Sequence, residues 1–185
     1  MEFESDIIRF LQANATTGWI TFFQIVTLFG SFLGLFLSFA LIFVRNKKLA
    51  FFLLLTFATA SVINHILKAI IGRPRPFDAN EGIFNYGNED GFSFPSGHSL
   101  CSGIFATFLV YHLFQTTKNG WTRALGTIAY SMFAMLIAFS RMVLGVHYLT
   151  DVIAGIILGI IFAIAGIFVY NVVMKIWNKS FHSKE

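Results

Sequence analysis

The tightest constraint on this chain is where its charges are missing. Between Trp19 and Val44 there is no Asp, Glu, Lys or Arg, and the runs Leu49–Leu67, Ser99–Thr117, Ala124–Ser140 and Val152–Met174 lack them too. Runs of this kind match the roughly 17–25 apolar residues that a helix needs to cross the hydrocarbon core of a bilayer. Apolar residues make up 56% of the chain and charged residues 12%, with 24 phenylalanines, which places it among membrane proteins rather than soluble domains.

The segments between the runs set the order of the spans. Residues 3–14 mix acidic and apolar positions with helical spacing, Ile7, Ile8, Phe10 and Leu11 forming one apolar side, and read as a short amphipathic helix on the membrane surface. The run from Trp19 to Val44 exceeds one crossing, so its first half is expected to lie flat before Gly30 or Gly34 lets the chain turn in. Gly72-Arg73-Pro74-Arg75-Pro76 ends the second span, because two prolines remove donors and restrict the residues before them. Residues 77–94 form a polar loop, and Ser96 is a natural N-cap for the third span. The expected architecture is an all-α integral membrane helical bundle of about five transmembrane helices plus the N-terminal surface helix. It is one domain over residues 1–185, with the interfacial helix at 1–18, the bundle with its catalytic loops at 19–178 and a cytoplasmic tail at 179–185.

The formal charge of +4 does not point to nucleic acid, because the basic residues form no patch with interleaved aromatics. They sit in the short connections instead: Arg45, Lys47 and Lys48 between spans one and two, Lys118 and Arg123 between spans three and four, and Lys175, Lys179 and Lys184 after span five. With five spans these segments share one side, which the positive-inside rule makes cytoplasmic. The acidic start Glu2-Phe3-Glu4-Ser5-Asp6 lacks the basic character of a signal peptide, so no cleavage is expected. The single cysteine, Cys101, gives no disulfide framework and reads as a packing residue.

Ionisable residues at the ends of apolar runs are costly unless they have a task. Lys68 and Arg75 leave span two, Ser96, Gly97 and His98 open span three, and Arg141, His147 and Asp151 join spans four and five. The topology puts all eight at one membrane face, opposite the basic connections. Three cations can hold a multiply charged anion, two imidazoles can serve as nucleophile and acid, and Asp151, four residues from His147, can fix one ring nitrogen if the chain is helical from about His147. Taken singly, each piece has a plainer reading: basic residues snorkelling to headgroups, a helix start, a surface ion pair. Their joint occurrence on one face favours chemistry. A zinc site built from His98, His147 and Asp151 is disfavoured because the three cations would repel a metal and already supply its charge. Neither metal nor cofactor is expected. Asn64 and His65 lie about one turn from Lys68 and suit interhelical hydrogen bonding; His112 and His182 receive no role, and Gly155 with Gly159 reads as a close-packing face within the subunit.

Lys68 with six residues before Arg75-Pro76, then Pro95-Ser96-Gly97-His98, then Ser140-Arg141 with five residues before His147 and three before Asp151, closely resembles the three-part signature of the type 2 phosphatidic acid phosphatase superfamily. The resemblance covers the chain from span two to span five and is complete at every signature position. Many members carry six spans, against the five counted here. It implies a bacterial-type membrane lipid phosphatase in which His147 attacks phosphorus to form a phosphohistidine, Asp151 orients it, and His98 protonates the leaving oxygen. Lys68, Arg75, Arg141, Ser96 and the amides of Gly97 and His98 would hold the phosphate, with Arg73 a second contact or a headgroup contact. The implied partners are a lipid substrate and the bilayer itself; undecaprenyl diphosphate, phosphatidylglycerol phosphate and phosphatidic acid all fit, and the site would face outward from the cell membrane. The competing readings are a non-enzymatic anion or lipid transporter and, as a more distant alternative, a vanadate-binding haloperoxidase-like protein.

Overall fold

The computed structural model describes residues 2–182, without the side chains of 181 and 182; Met1 and residues 183–185, including Lys184 and the end of the expected tail, lie outside the described residues. The described chain is helical with no strands: α1 (Glu2–Ala13), α2 (Thr17–Thr27), a 3₁₀ turn (Leu28–Gly30), α3 (Phe32–Phe43), α4 (Lys47–Ile71), α5 (Pro76–Ala79), α6 (Gly97–Thr116), α7 (Gly120–Val143) and α8 (Leu149–His182). Four helices, α4, α6, α7 and α8, are long and apolar enough to cross a membrane. The pair α2 and α3, bent by 52° at its break and taken as one crossing, makes a fifth. The protein is therefore an integral membrane helical bundle. Its outer faces carry exposed apolar residues such as Phe36, Phe51, Met132, Ile157 and Ile164, as lipid contact requires.

The helix ends follow local chemistry. Asn46, Ser96 and Asn119 cap α4, α6 and α7, their side chains accepting from the backbone N–H groups of Leu49, Ser99 and Thr122. Gly72 closes α4 in the left-handed conformation at φ 61°, and Pro74 and Pro76 follow. In the bent pair the turn falls at Gly30 and Ser31. Gly34 then lies so close to the carbonyl of Phe29 that no side chain fits there.

Helix α6 is the centre of the bundle, with α8, α7, α4 and α3 around it. Leu100, Ile104 and Phe108 of α6 join Ile42, Leu49, Leu53 and Ala163 in the buried core. The approach of α6 to α8 is set by glycine: a Cβ on Gly103 would meet the carbonyl of Ile156, one on Gly155 the carbonyl of Ser96, and one on Gly159 the carbonyl of Leu100. The glycine face read from the sequence is thus used within the subunit.

Helix α1 differs from the sequence reading in its face. Ile8 is fully buried together with the polar Ser5 and Gln12, whereas Phe3 and Phe10 point outward. The polar residues do the fastening. Gln12 donates to the carbonyls of Phe84 and Val143 and accepts from the N–H of Phe84, and Ser5 donates to Asn80. The helix is strapped across the 77–94 loop rather than resting on apolar contacts alone.

Candidate phosphate site

Backbone ties bring the three separated segments to one end of the bundle. Beyond Gly72 the chain runs extended to Arg75, and the buried Ser93 holds it there by donating from its N–H to the carbonyl of Arg73 (2.8 Å) and from Oγ to that of Pro74 (3.0 Å). The Ser96 N–H donates to the carbonyl of Asp151 (3.0 Å), joining the start of α6 to the start of α8. Between α7 and α8 the Arg141 carbonyl accepts from both Val146 (3.1 Å) and His147 (3.3 Å). That turn needs Gly145, which sits at φ 74° against the Phe84 carbonyl.

His147 is buried among these segments, 1% exposed. Its Nε2 is 3.4 Å from Nη1 of Arg75, and its Nδ1 is 3.5 Å from Oδ2 of Asp151. The sequence reading put this pair on one helical face. In the structure α8 begins two residues after His147, and Asp151 is placed by capping instead: Oδ2 accepts from the Tyr148 N–H at 2.9 Å, as an N3 carboxylate does in a capping box. His147 Nδ1 makes no hydrogen bond and meets Asp151 at ion-pair range.

Two arginines wall the pocket. Arg75 is anchored by donating to the carbonyls of Val146 (3.0 Å), Asp90 (2.8 Å) and Gly91 (3.1 Å). Arg141 donates to Oγ1 of Thr27 at 2.6 Å, so the bent α2 contributes to the site, and its Nε has no partner. Lys68 donates to the carbonyl of Phe92. Ser96 turns its hydroxyl into its own helix, accepting from Ser99. Gly97 lies beside the buried Asn64, whose Nδ2 a Cβ would meet at 3.4 Å. His98 sits at the pocket's rim, its Nδ1 3.5 Å from Glu89. The structure thus brings Lys68, Arg75, Ser96, Gly97, His98, Arg141, His147 and Asp151 to one end of the bundle.

Burial, then the charges of Arg141, Arg75 and Lys68, hold the His147 imidazole well below its ordinary value, so it is the neutral base at neutral pH. Among the described residues no group of three or more His, Cys, Asp or Glu is arranged to hold a metal ion.

Two further residues belong to the cluster. Arg73 pairs with the free oxygen of Asp151, donates to Glu4 of α1 (2.8 Å) and to Thr150 (2.7 Å), and stacks 4.1 Å over the ring of Tyr148. Glu89, from the 77–94 loop, reaches Nη2 of Arg75 at 2.9 Å and Nη2 of Arg141 at 2.6 Å. Burial opposes its ionisation, but Arg141, His98 and Arg75 outweigh that and keep its carboxyl below the usual range. The sequence carried one sign of it: three cations converge where Asp151 alone offers a countercharge.

The family model for the PAP2 superfamily matches residues 48–177. Phosphatidylglycerophosphatase B of Bacillus subtilis is 37% identical over 123 residues, covering 64% of this chain and 57% of that protein. An undecaprenyl-diphosphatase of Sulfolobus acidocaldarius is 36% identical over 120 residues, covering 64% and 54%. The chain thus spans a little over half the length of these relatives. Among solved structures, the Bacillus subtilis transmembrane PAP2-type phosphatidylglycerolphosphate phosphatase aligns with a TM-score of 0.73 at 29% identity, covering 89% of this chain and 83% of that one. LpxE of Aquifex aeolicus aligns at 0.72 and 25%, covering 88% and 93%. The matched segment contains every pocket residue from Lys68 to Asp151, and on that ground the chain belongs to the PAP2 superfamily.

Proposed function

We propose that the protein is a metal-independent membrane lipid phosphatase working through a phosphohistidine at His147. The observation that carries this reading is a buried, neutral imidazole whose Nε2 faces Arg75, with Arg141 and His98 bordering the same pocket. Nε2 attacks phosphorus as the bond to the lipid oxygen breaks, and His98 gives that oxygen a proton. Water then attacks phosphorus, His98 takes its proton, and the P–N bond breaks to release inorganic phosphate. Asp151 stabilises the proton on Nδ1 throughout. Lys68, Arg75, Arg141 and the amides at the α6 N-terminus bear the equatorial oxygens, supplying the charge that a metal supplies elsewhere.

A lipid substrate is supported by what lies beneath His98. A cavity of about 220 Å³, lined by Phe29, Gly34, Ser102, Phe105, Ala134 and Ile137, lies between α3, α6 and α7. Gly30, which packs against His98 and Ile137, places this apolar cavity beside the residue assigned to the leaving oxygen. The domain reading, one catalytic unit with α1 at the interface, belongs to the same proposal. So does the orientation: the basic residues Arg45, Lys47, Lys48, Lys118 and Arg123 lie in the connections or the adjoining first helical turns at the opposite end, which supports an outward-facing site.

The test is phosphate release by purified protein in detergent with chelator present, from undecaprenyl diphosphate, phosphatidylglycerol phosphate and phosphatidic acid in parallel. Release that survives chelation and is lost in His147→Ala is expected, and its rates rank the substrates. Ligand movement without phosphate release would favour a transporter instead.

A further inference from the structure

Building on the phosphate-site reading, we infer that Glu89 is a resident carboxylate that fills the anion site of the free protein and is displaced by the substrate's phosphoryl group. Its two oxygens bridge Nη2 of Arg75 (2.9 Å) and Nη2 of Arg141 (2.6 Å), and one lies 3.5 Å from Nδ1 of His98. The two guanidiniums hold phosphate oxygens in the proposed reaction, and His98 serves the leaving oxygen. One carboxylate and one phosphate cannot both take the inner faces of two guanidiniums.

Exposure identifies which group can move. The side chains of Arg75 and Arg141 are 3% and 1% exposed, whereas that of Glu89 is 25% exposed. The arginines are fixed from behind by Val146, Asp90 and Thr27, so the open side of the cluster is the Glu89 side. The backbone beneath Glu89 is also held: Asn85 Nδ2 donates to its carbonyl (2.9 Å) and Asn85 Oδ1 accepts from its N–H (3.4 Å). Gly87 packs on Val146 and Arg141, where a Cβ would not fit. The freedom left is rotation of the Glu89 side chain toward the rim. The arrangement has an energetic reason. Desolvated guanidiniums without a countercharge are costly, and a single negative charge satisfies them while remaining weaker than an arriving dianion. His98 keeps Nδ1 toward Glu89, leaving Nε2 for the departing oxygen.

The test measures the affinity of orthovanadate, a phosphate-shaped probe, for the full-length protein in detergent, comparing wild type with Glu89→Gln. A carboxylate that competes for the site predicts roughly tenfold tighter binding in the neutral variant. A carboxylate that only buttresses the arginines predicts weaker or unchanged binding, and either result overturns the inference. Should Glu89→Gln not purify as a folded protein, Glu89→Asp decides the matter: its shorter reach weakens the bridge, so displacement predicts tighter binding and buttressing weaker binding. Wild-type protein that binds no orthovanadate would overturn the phosphate-site reading and this inference with it. Wild-type binding without the gain in the variant would overturn this inference alone.

Discussion

Arg73 shows how much of the site rests on residues that need never touch phosphate. It holds one oxygen of Asp151 from beneath, while the other accepts from Tyr148 and faces His147, so the carboxylate has little freedom to turn. Arg73→Met is expected to lower kcat about a hundredfold with KM nearly unchanged, since a small displacement of a reacting group can cost that much. Arg73→Lys recovers little, because an ammonium cannot bond Asp151 and Glu4 while stacking on Tyr148. Steady-state kinetics check both. The pH dependence follows from His147. The proposed reaction needs its neutral form, and burial with the neighbouring cations holds its titration below the ordinary imidazole value of about 6.5, so the acid limb of kcat/KM should fall below that pH. Loss of activity beginning well above it would contradict the assigned nucleophile. That Lys68, Arg75, Ser96, Gly97, His98, Arg141, His147 and Asp151 meet at one end of the bundle could be read from the sequence, because they stand at or near the ends of apolar runs, where a charge or a break stands out; their roles belong to the proposal. Arg73 was read only as a second contact or a headgroup contact, and Glu89 received no role, because a charge in a polar stretch is ordinarily a solvated one.

Among the elements, α6 and α8 carry the site on a contact that admits no side chain. A Cβ on Gly159 would press on the carbonyl of Leu100, and one on Gly155 on that of Ser96, the residue that caps α6. Gly159→Ala is expected to cost about 1–3 kcal/mol, as overpacking does, whereas Gly120→Ala, with open space around it, should leave stability nearly unchanged. Thermal unfolding in detergent separates the two. Gly155→Ala should lose activity as well as stability, because it moves the residue that caps α6. Helix number and order could be read from the charge-free runs, since length in a bilayer is dictated by thickness. The faces could not. Phe3 and Phe10 of α1 point outward while Ser5 and Gln12 are buried, the reverse of a soluble amphipathic helix. In a chain bathed in lipid a phenylalanine is at home on either side, so apolar periodicity no longer separates core from surface.

Across the whole molecule the account requires the pocket and the basic connections to face opposite sides of the membrane. Cys101 is buried and should be silent to an impermeant thiol reagent. Asp78→Cys, on the exposed side of α5, is expected to react in intact cells, and Lys118→Cys only after permeabilisation. The reverse pattern would turn the site to the cytoplasm. The bend between α2 and α3 links the charged cluster to the apolar cavity: α2 supplies Thr27 to Arg141, and α3 walls the cavity. The most direct measurement is to quench the enzyme in alkali during turnover of a lipid substrate labelled in the transferred phosphate, then locate the label. The account predicts an alkali-stable, acid-labile phosphoramidate on the peptide containing His147, absent from His147→Ala. Phosphate release at full rate in His147→Ala, or label on any other residue, would contradict it.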